Sequence, residues 1–428
     1  MVNTDDYSGL GWRSQTLGPV GKRSDILSAV AYPLLLAGVF LGSMVYIRPA
    51  AGNVTFSDLL FGAVLLLLLL DRRVSANAFG KMSVAIWLVG LLLLLGGLTI
   101  SSLNSPDPTR AIIVIAQYAY AYLAVMLMFA CQKAEDMVSF ARIYVLSILV
   151  ICLHGIYLIH YDGQVNTVFV TGSGRLNGLM ERTNECATVI ALCVPIVLAL
   201  CMGGHLRKSF ACFALGIMTY GILLTGSNSG LMSLVCGFGI FALIAIGLRR
   251  IMAPLILVAT ILTFGGSFVT DYLPAAFQKR VLGALESGDL GKAGTFDGRI
   301  ELINEALELT SGTMLVGLGA DQYRILSVYG APVHNLYLLL WTEGGLICAV
   351  GFVIMLIGAL GPALSVFNLP GGRPYAAAIL ANVAVFALAA NALPHVYSRF
   401  WVLPILLPWG LAATFLSEGR IRRHKLEN

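Results

Sequence analysis

Charge is the scarcest property of this chain. Asp, Glu, Lys and Arg make up 11% of its 428 residues, against 58% hydrophobic residues. Mean hydropathy is +0.85, and a water-soluble domain cannot hide that much apolar surface. The apolar/polar alternation of a transmembrane barrel is also missing. The apolar runs are long and unalternating, which selects helices. Asp-x-Asp, a Walker loop, His-Glu-x-x-His and Gly-x-Ser-x-Gly are all absent, and segment 48–57 has no acidic pair to hold a metal on a sugar phosphate. Any catalysis is therefore expected to be metal-free, and no nucleic-acid partner is expected. Eight cysteines are present (Cys131, Cys152, Cys186, Cys193, Cys201, Cys212, Cys236 and Cys348), all in or at the ends of apolar segments. They read as small buried hydrophobes with neither disulfide nor metal spacing. Residues 1–25 are polar and the first apolar run lacks a small-residue cleavage site, so no cleavable signal peptide is expected.

What is there is a series of apolar segments. They fall near 26–47, 54–70, 82–103, 111–131, 137–160, 183–203, 209–225, 229–247, 251–270, 335–361, 375–394 and 399–417. Each is close to the ~20 residues a spanning helix needs, so an all-α polytopic membrane protein of about twelve helices is predicted. An even count puts both termini on one side. Lys and Arg say which: seventeen fall in the segments on the side of the termini and five (Arg48, Arg110, Arg175, Arg182, Arg399) in the short loops opposite. The long loop is left out, because long loops obey the rule poorly. By the positive-inside rule both termini are cytoplasmic. The expected division is a cytoplasmic lead-in over 1–25, nine helices over 26–270, an external loop over 271–333, three helices over 334–417 and a cytoplasmic tail over 418–428. No repeat, low-complexity tract or separate soluble domain interrupts it.

Two external loops stand out. The first, 161–182, ends in Arg175, Glu181 and Arg182. The second, 271–333, is broken by Pro274 and Pro332 and holds two predicted short helices. One spans 274–286 with Lys279 and Arg280, the other 298–310 with Arg299, N-capped by Asp297. Both are expected to lie over the bundle mouth as a lid. His334 closes this loop where water meets membrane, and Glu343 lies nine residues deeper. Ionisable groups at such depths are costly and often functional. Helical spacing puts them on different faces, so they are not expected to form one catalytic pair. Taken singly, His334 reads as an interfacial anchor and Glu343 as a satisfied core acid. The arginines alone read as headgroup anchors or partners of Glu181, Glu301 and Glu305. Together, Arg175, Arg182, Arg280 and Arg299 beside His334 point to an anion site at headgroup level, suited to a lipid-borne phosphate or pyrophosphate.

The residues then resemble a family. His334-Asn335-x-Tyr337-Leu338 followed by Glu343-Gly344 is similar to the signature of the O-antigen ligase and polymerase superfamily. So are Thr225-Gly226-Ser227-Asn228-Ser229-Gly230 at a helix junction, Gly298-Arg299 opening a loop helix, and Gly317-Leu318-Gly319-Ala320. Arg175-x-x-Gly178 and Thr183-Asn184-x-x-Ala187 resemble the preceding loop and helix, and the likeness covers about residues 170–360. Two positions depart from the pattern: Thr183-Asn184 stands where Pro-Asn is common, and Ser227-Asn228 where Ser-Arg is common. The resemblance implies a GT-C-like fold in the bacterial inner membrane with its active site on the periplasmic side. It implies transfer of a glycan from undecaprenyl pyrophosphate to an acceptor sugar hydroxyl, without metal or other cofactor and with inversion. His334 would be the base or orient the acceptor, and Arg175 or Arg182 with Arg280 or Arg299 would hold the pyrophosphate. Asn184, Asn335, Tyr337 and Glu343 would support them. A ligase uses lipid A–core as acceptor; a polymerase uses a second lipid-linked repeat. A transporter or flippase of lipid-linked sugars would need internal repeats and a charged midplane path, and the helices are nearly charge-free at mid-depth.

Overall fold

A leucine-rich run in lipid can satisfy its backbone only by closing i→i−4 hydrogen bonds, and this chain does so repeatedly. The computed structural model describes residues 22–49, 54–71, 79–103, 105–250, 273–283 and 296–427. The main helices are α1 (Lys22–Leu41), α2 (Phe56–Leu70), α3 (Lys81–Ser102) and α4 (Pro108–Ala130, with a π turn at Tyr120–Ala124). They continue as α5 (Met137–His160), α6 (Thr183–Met202), α7 (Lys208–Thr225), α8 (Asn228–Ala245) and α9 (Phe296–Gly312). The chain closes with α10 (Leu336–Phe367), α11 (Arg373–Ala389) and α12 (Arg399–Glu427). Among the described residues eight helices are long and apolar enough to cross a membrane, and three more apolar helices are shorter. Together they account for every expected segment except 251–270, which lies outside the described residues. Among the described residues there is no β-sheet, only an isolated bridge between Val170 and Leu176.

The first loop helix is helical from Ala275 to Gly283, with a π turn over Gln278–Leu282, and its expected last turn, 284–286, lies outside the described residues. Other boundaries differ from expectation. The second loop helix begins at Phe296, so Asp297 lies within its first turn instead of capping it. The last helix runs on to Glu427, past the expected tail boundary at 417.

Glycine sets how close the helices come. α3 and α10 touch nearly backbone to backbone: a Cβ on Gly351 would sit 2.6 Å from Leu94 N, and one on Gly358 would sit 2.6 Å from Trp87 N. Gly90 and Gly97 present the same bare surface from the α3 side. In lipid, where apolar side chains gain nothing by leaving solvent, such close backbone packing is a main source of association. Pro408 inside α12 cannot donate to the carbonyl of Pro404, and Asn382 of α11 supplies the missing donor through Nδ2.

α10 is not one rod. Gly345 adopts φ 74° and ψ 177°, breaking the helix one turn after Thr342. The carbonyls freed there are taken up by the preceding loop: Leu318 N donates to Thr342 O at 2.9 Å and Gly319 N to Glu343 O at 2.8 Å. Leu346 N in turn donates to Met314 O at 3.0 Å. Irregular backbone is tolerated at depth only when protein satisfies it in this way.

The loops sort to two ends. At one, Tyr46 N meets Leu179 O at 3.2 Å, Arg110 pairs with Asp321 at 3.0 Å, and Ala320 N meets Ser102 Oγ at 3.0 Å. At the other, Arg142 donates to His205 O at 2.9 and 2.6 Å, and Thr414 donates to Ala134 O.

Candidate functional site

The site is built from four pieces at the first of these ends. α7 stops at Thr225, Gly226 turns the chain at φ 54°, and Ser227 caps α8 by accepting from Gly230 N at 3.1 Å. Asn184, in the first turn of α6, accepts from Ser227 Oγ at 2.8 Å and from Arg175 Nη2 at 3.3 Å. Arg175 Nε donates to Thr225 O at 2.8 Å. The two motifs that the sequence places 40 residues apart thus lock one guanidinium between them. A Cβ on Gly226 would lie 3.1 Å from Ala276 O, so the 275–282 turn rests on this junction and carries Arg280 to Arg175. Burial, and then the Arg280 charge, push Arg175 down to about 10, and Arg280 is lowered by burial and by Arg299.

Arg299 comes from the first turn of α9. That helix is pinned to the upper part of α10 by a 2.7 Å contact between Thr310 Oγ1 and Thr342 Oγ1. Glu305 ties it to the next turn, accepting from Tyr323 Oη, Ser327 Oγ and Val328 N at 2.7 Å each. A small apolar cluster of Leu302, Ala306, Tyr323, Val333, Leu338 and Leu339 fills the space between.

His334 follows buried Val333 and precedes the α10 cap. Asn335 is that cap, its Oδ1 accepting from Leu338 N at 3.1 Å. Tyr337 reaches across to α11, donating to Ala387 O at 2.9 Å. The His334 Nδ1 atom is buried and has no hydrogen bond among the described residues. Burial, then Arg299, then Arg182 hold His334 below its ordinary range, so the imidazole is neutral at pH 7. Arg182 stands at the N-cap of α6, exposed, and its side chain makes no capping hydrogen bond.

Glu343 is elsewhere in the architecture. It is 4% exposed, and its Oε1 accepts from Tyr323 N at 3.3 Å, beside the loop that plugs the α10 break. It holds backbone, not the imidazole.

One member of the site escaped the sequence. His395 lies on the α11–α12 loop, which docks through Leu336 N to Ala390 O at 2.8 Å and Tyr122 Oη to Val396 O at 2.7 Å. Its ring is 5.2 Å from Tyr397, which meets Tyr118 edge-on at 5.6 Å. Burial, Arg182 and His334 push His395 down to about 4. The signal was present as Pro394-His395 between the last two apolar segments, but nothing in the linear pattern ties it to His334.

Arg175, Arg182, Arg280 and Arg299 therefore form one chain of mutual influence ending on two neutral imidazoles. The ion pairs at this end run Arg48–Glu181, Arg110–Asp321, Arg324–Asp321 and Arg399–Asp58. Arg175, Arg182 and Arg299 take part in none of these, although the Arg182 charge also acts on Glu185 in the first turn of α6. Chemically, such a site attracts a multiply charged anion and leaves a neutral base beside it. Among the described residues no three of His, Cys, Asp and Glu come together as a metal site would need.

None of the curated proteins matches the chain. Residues 213–356 match the family model described as O-antigen ligase, a stretch that includes Arg280, Arg299, His334 and Glu343 and leaves Arg175, Arg182 and His395 outside. Over that third of its length, the chain is similar to the O-antigen ligase family.

Proposed function

We propose that the protein is an inner-membrane glycosyltransferase that moves a glycan from undecaprenyl pyrophosphate to the lipid A–core on the periplasmic side. The observation that carries this reading is a buried, unpaired imidazole nitrogen on which Arg299 and Arg182, one from each loop, both bear, with Arg280 and Arg175 linked in turn behind Arg299. The acceptor hydroxyl oxygen attacks the anomeric carbon as its proton passes to His334. The bond from that carbon to the pyrophosphate oxygen breaks, and its electron pair leaves with the lipid pyrophosphate. Arg182, Arg280 and Arg299 offset the charge that develops there, while Arg175 braces the site from the α7–α8 junction. Undecaprenyl pyrophosphate is a good leaving group, so the step needs neither nucleotide nor metal. Direct attack inverts the anomeric centre. Asn335 and Tyr337 fix the start of α10, and hence His334; Asn184 holds the Ser227 and Arg175 side chains, and Glu343 holds the backbone at Tyr323.

The test supplies purified protein with a lipid-linked repeat in EDTA, with and without lipid A–core, and compares wild type with His334→Ala. Wild type should yield glycosylated lipid A–core, and a folded His334→Ala variant should yield none. Longer lipid-linked glycan without acceptor would instead make the enzyme a polymerase. Loss of turnover in EDTA with recovery in Mg²⁺ or Mn²⁺ would overturn the metal-free step.

A further inference from the structure

Arg399, the first residue of α12, is 5% exposed. Its Nη1 pairs with Asp58 at 3.1 Å. Its Nε and Nη2 are buried and have no hydrogen bond among the described residues. Those two nitrogens form the side-on edge of the guanidinium, whose parallel N–H bonds grip a carboxylate or phosphate with two prongs. A buried donor left unmade is costly, and more so on a charged group, so this unpaired edge asks for an acceptor.

The carboxylates nearby are not free to serve. Asp58 Oδ2 accepts from Thr55 N at 2.9 Å and Thr55 Oγ1 at 2.8 Å, closing the capping box of α2. Glu181 is held by Arg48 at 3.3 Å. Tyr120 spends its hydroxyl on Asp58 O at 3.3 Å. The ionisable groups that act on Arg399 are Asp58, Tyr120 and Glu181, so this guanidinium stands apart from Arg299 and Arg182, which act on His334. It still belongs to the same end, since Ser398 precedes it and His395 lies on the same short loop.

We infer that the unpaired Arg399 edge, with the start of α2 and the 179–182 turn around it, is a second oxyanion site. It takes one phosphate or carboxylate group, carried by the acceptor glycan or by a phospholipid headgroup. Only the glycan source rests on the transferase reading above; the oxyanion site itself does not.

The probe is inorganic phosphate, read by the melting temperature of the purified full chain in detergent. Phosphate should stabilise wild type in two separable parts. Arg399→Lys keeps a charge beside Asp58 and loses the edge, so it should remove one part; the double variant Arg182→Lys, Arg299→Lys should remove the other. An unchanged phosphate shift in Arg399→Lys overturns the inference and leaves the transferase reading standing. A shift lost in Arg399→Lys but untouched in the double variant does the reverse. Should Arg399→Lys fail to fold, Asp58→Asn decides, because it frees the guanidinium of its competing carboxylate. Its phosphate shift should exceed that of wild type, and an equal or smaller one overturns the site. The source is read in two further arms. An acceptor KM raised at least tenfold in Arg399→Lys at unchanged donor KM identifies the glycan. Loss of the preference for phosphatidylglycerol over phosphatidylcholine nanodiscs identifies the headgroup. If neither changes, no physiological oxyanion occupies the site and the inference is wrong.

Discussion

At the scale of single residues, the decisive quantity is the protonation of His334. A base must be neutral to act, and Arg299 and Arg182 keep it neutral to a lower pH than burial alone would. Removing either positive charge lets the imidazole hold its proton more tightly. Arg299→Gln should therefore move the acid limb of the kcat/KM–pH profile to higher pH, whereas Arg175→Gln, whose charge does not act on His334, should leave the limb in place. A limb that stays fixed in Arg299→Gln would remove His334 from the role of base. The arginines separate by a second measurement. The exposed Arg182 fork does not cap α6, so Arg182→Lys should lose about 1.5–3 kcal/mol of transition-state stabilisation, roughly ten- to a hundredfold in turnover, at unchanged melting temperature. Arg175 spends its fork on Thr225 O and Asn184, so Arg175→Lys should lower the melting temperature as well. Full activity in Arg182→Lys would make that side chain a headgroup anchor only. Arg175 and Arg182 stand out in the sequence because topology disfavours such charges in short external loops, and Arg280, Arg299 and His334 because the long loop brings them to the membrane edge. His395 does not, since an imidazole on a short loop of its own acquires meaning only when the loop is folded against α10.

At the scale of elements, the apolar runs located every described membrane helix, though the ends of α1, α10, α11 and α12 differ by five residues or more, because length and composition decide whether a segment can cross lipid but not where its helix stops. The break in α10 was not readable. Gly344-Gly345 in an apolar run looks like any pair of small packing residues, and the partner that makes a break affordable lies some 27 residues upstream in Met314–Gly319. A side chain at Gly345 meets both a left-handed φ and the Leu315 carbonyl. Gly345→Ala should thus destabilise by about 1–3 kcal/mol, read as a lowered melting temperature. Gly239→Ala, where a Cβ meets nothing within 4 Å, should be neutral or slightly stabilising as a helix-interior replacement. Equal melting of the two variants would contradict the strained break.

At the scale of the whole molecule, the sorting of loops into two ends makes sidedness measurable. Ser173 is exposed at the His334 end, and Gly419 is exposed at the other. In a background lacking Cys212, the exposed native cysteine, a membrane-impermeant thiol reagent should label Ser173→Cys on spheroplasts and reach Gly419→Cys only after permeabilisation. The opposite pattern would place the site in the cytoplasm and remove the periplasmic donor from consideration.

The plug in α10 also orders how the protein is made. Alone in a bilayer, Leu336–Phe367 would lose hydrogen bonds by breaking at Gly345, and nothing in its own sequence replaces them. The segment that does replace them, Met314–Gly319, leaves the ribosome earlier and is already waiting when α10 arrives. The helix can therefore enter straight and yield only when that segment docks, so that seating the loop, bending the helix and aligning His334 become one late event in maturation rather than three.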